Sequence, residues 1–228
     1  MQILQSEQPT FRYHWKWGPN PNPSPFLAAT RVVVLELNNP DFAQRCKGPA
    51  MQTPAPSKHG GIGAQEMSGR WINDASTVLR EAMLAAGIEP FEMMSDLDPL
   101  LVKLQDQVRY HHDMPMWNSV FGAWMLDGPE RMLRFPLMGL EIPFKPGTVV
   151  LFDPAQPHGL VRPGATAYEP FDDAHLHPIT MVNFNCAKKD VMTRLLDIQH
   201  YDEKIHTAIR QTVDQYKPCD RTGSIEFL

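Results

Sequence analysis

The chain has 228 residues, of which 43% are hydrophobic and 21% charged, and this length and composition fit a single folded domain. The formal charge of −5 argues against a general nucleic-acid-binding protein, which would carry a basic excess, without ruling out an enzyme that acts on a nucleotide. The three cysteines lie far apart in the sequence, which excludes a disulfide scaffold and favours a cytoplasmic setting. The sequence also has no apolar segment typical of a signal peptide or a membrane span, so we expect no membrane association.

The first part of the chain predicts short, turn-separated elements. The 22 prolines of the whole chain disfavour long helices, because each proline removes a backbone donor. Residues 18–25 are proline-rich and are expected to be extended. Residues 30–37 predict a strand with a turn at 38–40, and residues 48–69 are typical of a long loop.

A helix is predicted next, followed by a series of short strands. Apolar spacing predicts the helix over 75–86, with Asn73 or Asp74 as its N-cap and Gly87 as its left-handed C-terminal residue. The following segments alternate in hydrophobicity and predict strands: 107–113, 119–126, 131–137, 148–152, 158–161 and 179–184.

Helical spacing returns from Lys188 to about Tyr216, with Ile198 among its apolar positions. We therefore predict a mainly β protein with flanking helices, built on a sandwich or barrel. The single domain divides into four segments: an extended N-terminal segment 1–25, a strand, loop and supporting helix in 26–106, a core 107–185, and a C-terminal helical segment 186–228.

Three residues have the character of metal ligands. His111 and Asp113 are two positions apart in a predicted strand, so their side chains share one face, with His112 on the other. His158 opens a later strand and can supply a third ligand if the sheet folds over itself. Two histidines and one carboxylate on one face leave positions open for a co-substrate and oxygen, an arrangement suited to ferrous iron.

The stretches 110-YHHDMP-115, 146-PGTVVLFDPAQPHGL-160 and 179-ITMVNF-184 resemble the 2-oxoglutarate- and iron(II)-dependent dioxygenase superfamily. The resemblance implies a double-stranded β-helix, that is, a jelly roll or cupin-like barrel. It also implies iron(II) held by His111, Asp113 and His158. The implied reaction uses O2 and 2-oxoglutarate to oxidise a C–H bond of a small-molecule, amino-acid or peptide substrate, with succinate and CO2 as co-products.

The family binds the far carboxylate of 2-oxoglutarate with a basic residue, usually an arginine at the start of the last strand. This sequence has His177 and Pro178 there instead. Arg162 is our first candidate for the anchor, because it follows His158 by four positions and so shares its face of the strand. Arg134, on the strand after the His111 segment, is the second candidate.

Other interpretations stay open. His175 and His177 could belong to a different cupin-type metal site, or the chain could be a cupin-like binding protein or an interaction module without 2-oxoglutarate turnover. A nucleophilic or zinc hydrolase is poorly supported, because the chain has no GxSxG or HExxH motif. Aromatic and sulfur-containing residues near the candidate site could either shape a pocket or fill the core: Tyr110, Met114, Met116, Trp117, Phe121, Trp124 and Met125.

Overall fold

The computed structural model is built around two antiparallel β-sheets, with helices packed on the outer face of the larger sheet. None of its described helices has the length and apolar character needed to cross a membrane. The structure describes residues 1–6, 27–46, 62–66, 70–89, 91–92, 99–104, 106–111, 119–154, 156–169, 177–200, 216–219, 221–223 and 225–227.

The larger sheet has seven strands in the order β1-β3-β10-β7-β12-β5-β4. Their bounds are β1 Gln2–Gln5, β3 Arg31–Glu36, β4 Ile62–Glu66, β5 Leu100–Leu104, β7 Ser119–Asp127, β10 Thr148–Phe152 and β12 Ile179–Ala187.

The smaller sheet has four strands in the order β6-β11-β8-β9. Their bounds are β6 Val108–His111, β8 Arg131–Phe135, β9 Leu140–Phe144 and β11 His158–Val161. From β5 to β12 the chain passes back and forth between the two sheets, and only β8 and β9 are consecutive strands of the same sheet. This path is a jelly roll, so the predicted double-stranded β-helix with flanking helices is confirmed.

Alternation along the strands gives the larger sheet two different apolar faces. One face, with Ala123, Val150 and Met181, packs against Leu133 and Phe135 of the smaller sheet. The other face, with Trp124 and Phe184, packs under the helices. The interior of the barrel is therefore the space between the two sheets.

The helix-side core is covered by α1 (Pro40–Cys46), α2 (Arg70–Ala85) and α3 (Asp190–Leu195). Phe42 of α1 stacks on Trp124 with ring centroids 5.1 Å apart. The remaining elements are two small two-stranded sheets and a 3-10 turn: β2 Leu27–Ala29 with β13 Ile198–His200, β14 Tyr216–Pro218 with β15 Ile225–Phe227, and Pro136–Met138.

The predicted helix and strands are largely confirmed, but the helix begins earlier than expected. Because α2 starts at Arg70, Asn73 and Asp74 lie inside it, and the prediction that either caps it is wrong. Gly87 has φ 79°, as expected for the residue that ends the helix. The apolar face predicted for the helix is also confirmed, since Leu79 and Met83 of α2 are fully buried.

Three other elements differ from the sequence-based expectation. The turn predicted at 38–40 leads directly into α1, and the loop predicted over 48–69 contains β4, which pairs with β5. Ile198 lies in a strand and not in a helix, because Asp197 with φ 49° ends the helical path and β13 then pairs with β2. The rest of the predicted C-terminal helix, 201–215, lies outside the described residues.

Candidate metal centre

Two histidines meet across adjacent strands of the smaller sheet. His111 is the last residue of β6, His158 is the first residue of β11, and the two are direct partners in the antiparallel register. Their ring centroids are 4.4 Å apart with the planes tilted by 52°. The pairing of strands thus brings together two predicted ligands that are far apart in sequence.

Each histidine ring is oriented by a hydrogen bond to the backbone carbonyl two residues before it in the chain. Nδ1 of His111 donates to the Arg109 carbonyl oxygen at 2.9 Å, and Nδ1 of His158 donates to the Gln156 carbonyl oxygen at 2.8 Å. A carbonyl oxygen only accepts, so the proton of the neutral ring is on Nδ1 and the lone pair is on Nε2. Histidines that bind a metal through Nε2 are held in this way, so both rings fit a metal ion.

The surroundings of His158 are aromatic. The side chain is 5% exposed, and its ring centroid lies 4.8 Å from that of Phe152 and 6.0 Å from that of Phe135. Phe121 extends this wall on the larger sheet, 5.2 Å from Phe152. These side chains limit the access of water to one side of the histidine pair.

Asp113, the third predicted ligand, lies two residues beyond His111 and outside the described residues, as does His112. Within the described part of the chain, no group of three histidine, cysteine, aspartate or glutamate side chains could hold a metal ion. The role of Asp113 therefore stays a prediction, as does the full ligand set of His111, Asp113 and His158.

Arg162, the first candidate for the 2-oxoglutarate anchor, is bound to a carboxylate of the protein. Its Nε and Nη2 donate to Oδ2 of Asp106 at 3.1 and 2.6 Å. These hydrogen bonds and the negative charge of Asp106 raise the pKa of Arg162 above its ordinary value. Arg162 lies four residues beyond His158, immediately after the last residue of β11.

Arg134, the second candidate, lies on the opposite face of β8 from Leu133 and Phe135, which point into the barrel. It donates through Nη1 to the Ala165 carbonyl oxygen at 3.1 Å, and it forms an ion pair with Glu141 on the neighbouring strand. The structure does not bring Arg134 together with the histidine pair. The anchor assignment to Arg162 or Arg134 stays a prediction.

A third arginine, Arg131, was not identified from the sequence. It is the first residue of β8, it is 4% exposed, and it binds the same Asp106 carboxylate as Arg162. Arg131 shares the inward face of β8 with Leu133 and Phe135. Counting by twos back from Phe135 would have placed it there, but the sequence alone does not say which face of that strand is inside.

The structure places the other candidate residues from the sequence in different surroundings, and some of them lie outside its described residues. Phe121 and Met125 face the barrel interior, whereas Trp124 faces the helix-side core. Tyr110 packs against Gly159, and its hydroxyl donates to the Thr166 carbonyl oxygen at 3.2 Å. His177 is exposed just before β12. Residues outside the described part of the chain are Met114, Met116, Trp117 and His175.

No family model and no curated protein matches this chain. Solved structures that are similar in fold include a viral collagen prolyl hydroxylase from Paramecium Bursaria Chlorella virus-1 in a 2-oxoglutarate complex. The two chains are 14% identical, the match covers 69% of this chain and 96% of that chain, and the TM-score is 0.44. A Pseudomonas putida prolyl-4-hydroxylase is 13% identical, with 69% of this chain and 93% of that chain covered and a TM-score of 0.45. A third is HygX from Streptomyces hygroscopicus, with nickel, 2-oxoglutarate and hygromycin B bound. It is 8% identical, with 70% of this chain and 83% of that chain covered and a TM-score of 0.48.

Proposed function

We propose that the protein is an iron(II)- and 2-oxoglutarate-dependent oxygenase that oxidises a C–H bond of a small-molecule, amino-acid or peptide substrate. The observation that carries the proposal is the pairing of His111 and His158 at one end of a jelly roll, with both Nδ1 protons donated to backbone carbonyls. The pairing brings the two imidazole rings to a centroid distance of 4.4 Å, and a metal ion held by imidazoles needs neighbouring rings of this kind.

His111, Asp113 and His158 would hold the iron. When bound, ferrous iron and 2-oxoglutarate supply the activation of O2 and leave succinate and CO2 as co-products. The contribution of the chain is to fix the two imidazoles through the carbonyls of Arg109 and Gln156 and to limit water with the aromatic side chains beside His158. Arg162 or Arg134 would bind the co-substrate's distal carboxylate.

A second candidate function is a cupin-like metal-binding protein without 2-oxoglutarate turnover. It is favoured by the carboxylates that both candidate anchors already contact, since Arg162 binds Asp106 and Arg134 binds Glu141. This alternative keeps the barrel and the histidine pair, so it differs from the first only in whether a keto acid binds.

The deciding experiment is an anaerobic titration of ferrous iron followed by 2-oxoglutarate, monitored for the weak visible charge-transfer band of a chelated keto acid. We expect the band in the unmodified protein and its loss in Asp113→Ala and His158→Ala, each with an unchanged far-UV circular dichroism spectrum. Bound iron without a band would discard the 2-oxoglutarate reaction and leave the cupin-like alternative.

Two further readouts separate the remaining possibilities. Succinate formed in air with iron and 2-oxoglutarate would support turnover directly. Loss of iron binding in His177→Ala, with binding retained in His158→Ala, would move the metal to the alternative site of His175 and His177.

A further inference from the structure

The inward face of the larger sheet becomes polar along β12. Ile179 and Met181 belong to the apolar core between the sheets, whereas the next inward positions of the strand are Asn183 and Asn185. Their direction follows from alternation, since Phe184 between them packs in the helix-side core. Two amide side chains therefore face the interior of the barrel.

The strand register places these amides at the histidine end of the barrel. Asn185 is the direct partner of Phe121 on β7, and Phe121 is the direct partner of Phe152 on β10. The ring centroid of Phe152 is 4.8 Å from that of His158. Direct antiparallel partners have Cβ atoms about 5 Å apart, and inward neighbours on one strand are about 7 Å apart. Asn185 and Asn183 thus border the aromatic side chains beside the histidine pair.

Asn183 carries a buried acceptor that has no donor. Its Oδ1 is enclosed and makes no hydrogen bond. Ser119, the first residue of β7, has a similarly enclosed and unpartnered Oγ, is 2% exposed, and shares the inward face with Phe121. A buried acceptor without a donor costs free energy, which a bound N–H or O–H group would recover.

The keto-acid co-substrate is the wrong partner for this acceptor. The ionised form of 2-oxoglutarate has carboxylate and carbonyl oxygens, which only accept hydrogen bonds. The inward residues of β7 and β12 at this end are also uncharged, so a charged group bound against them would lack a counter-charge on these strands. They are Ser119, Phe121, Asn183, Asn185 and Ala187. The complementary group is an uncharged donor attached to an apolar part that packs on the aromatic side chains.

We propose that Asn183 is a specificity-determining residue, whose Oδ1 accepts a hydrogen bond from an amide N–H or a hydroxyl of a neutral substrate. The inference rests on the proposed function, which places the reacting C–H bond at the histidine pair. Ser119 supplies a second acceptor further toward the end of the barrel. Its partner Ala187 is four residues beyond Asn183, a span of about 13 Å, so an extended substrate with two donors would reach both.

The test uses four probes that share a phenyl ring and differ in one group. Benzamide and benzyl alcohol are neutral donors, methyl benzoate is neutral and only accepts, and benzylamine is a donor that carries a positive charge at pH 7. Dissociation constants are measured by ligand-observed NMR on protein loaded with zinc(II) and 2-oxoglutarate, because zinc(II) is diamagnetic and has no redox chemistry.

We expect at least one neutral donor to bind about 5- to 10-fold more tightly than methyl benzoate, the factor that one buried hydrogen bond supplies. Benzylamine should bind no more tightly than the ester, because its charge must be desolvated without a counter-charge. A preference for benzamide identifies an amide as the donor, and a preference for benzyl alcohol identifies a hydroxyl.

Asn183→Leu is the deciding variant. The preference for the neutral donor should fall to about one, while the affinities for methyl benzoate and 2-oxoglutarate stay unchanged. The melting temperature without probes should not fall, because the variant replaces an unpartnered polar group by an apolar one of similar size. Asn185→Leu makes the same change at the next inward position and should retain the preference. Asn183→Ala takes the place of Asn183→Leu if the larger side chain prevents folding.

The outcomes separate this inference from the proposed function. Equal affinities of the unmodified protein for all four probes, or no binding of any of them, would overturn the donor subsite and leave the oxygenase proposal standing. Weaker 2-oxoglutarate binding in Asn183→Leu would reassign Asn183 to the co-substrate, and tighter binding of benzylamine than of the neutral donors would contradict a neutral substrate. Loss of the preference in Asn185→Leu alone would overturn the assignment to Asn183. Absence of the charge-transfer band with iron(II) and 2-oxoglutarate, with the probe preference intact, would overturn the oxygenase proposal alone.

Discussion

At the scale of single residues, the geometry of the histidine pair depends on a glycine. Gly159 follows His158, and Tyr110 precedes His111 on the partner strand. A Cβ atom on Gly159 would lie 2.7 Å from Cδ1 of Tyr110, which is closer than real contacts allow. The absence of a side chain at Gly159 therefore lets the aromatic ring lie against β11 next to the candidate metal centre.

We predict that Gly159→Ala weakens iron(II) binding about tenfold or more, the usual effect of displacing groups that orient metal ligands. The added methyl group must push away either Tyr110 or β11. Either movement changes the relative position of His111 and His158, which are neighbours of these residues in the chain. Equilibrium titration with iron(II) or cobalt(II) measures the change.

Gly139→Ala is the control for backbone effects alone. Gly139 has φ 66°, and a Cβ there would meet nothing within 4 Å. This variant should cost roughly 1–2 kcal/mol of stability through left-handed strain and leave the metal affinity unchanged. Equal metal affinities in Gly159→Ala and the unmodified protein would show that the Tyr110 contact does not position the histidines.

At the scale of elements, α1 illustrates how a short helix is specified by its first residues. Oδ1 of Asn39 accepts a hydrogen bond from the Phe42 backbone N–H at 3.0 Å, and Pro40 occupies the first helical position. The helix then buries Phe42 against Trp124, whose Nε1 donates to the Leu37 carbonyl oxygen at 3.1 Å. The cap thus fixes the direction in which the chain leaves β3.

We predict that Asn39→Ala destabilises the protein by about 1 kcal/mol through loss of the cap, with a melting temperature lower by about 2–4 °C. Metal affinity should not change, because α1 lies on the helix-side core and the histidines lie in the smaller sheet. Asn38→Ala, which alters an exposed neighbour that does not cap the helix, is the matched control. A cap that contributes nothing would give the two variants the same melting temperature.

The strands were predictable because alternation and β-branched residues mark them locally. The segment 148–152 was predicted as a strand and is β10, and 158–161 is β11. α1 was missed because seven residues hold too little periodicity to outweigh the turn signal of Asn39 and Pro40. β4 was missed because the pairing with β5 is a long-range contact with no local signature.

At the scale of the whole molecule, the larger sheet separates two cores with different chemistry. The core between the sheets reaches the histidine pair, whereas the helix-side core contains the buried thiols of Cys46 and Cys186. Burial raises the pKa of Cys186 to about 12, and its Sγ donates to the Val120 carbonyl oxygen at 3.4 Å. A protonated, enclosed thiol is a poor nucleophile, which agrees with the expectation from the sequence that a nucleophilic hydrolase is poorly supported.

We predict that Cys186 makes stability fall at alkaline pH. The folded state keeps this thiol protonated above the ordinary value of 9.0, so its contribution is complete below pH 9 and is lost as the pH rises toward 12. The denaturant midpoint should therefore drop from pH 8 to pH 10 more steeply in the unmodified protein than in Cys186→Ala. Identical slopes would contradict the prediction.

Thiol labelling gives an independent check. Cys46 and Cys186 should react only as fast as the whole molecule unfolds, because both are fully buried. Cys219 is partly exposed and should react in the folded state.

The sequence by itself determined the series of strands and the amphipathic stripe of α2, because these depend on local periodicity. The spacing of the motifs singled out His111 and His158 as residues to consider together, and the family resemblance of those motifs implied the jelly roll. Only the tertiary structure decided that the rings lie 4.4 Å apart, that Arg134 faces outward and that Arg131 is the buried cation beside Asp106. Those facts depend on which strands pair and which face of each sheet is enclosed. Alternation fixes that two residues share a face, but the packing of the second sheet decides which face is inside.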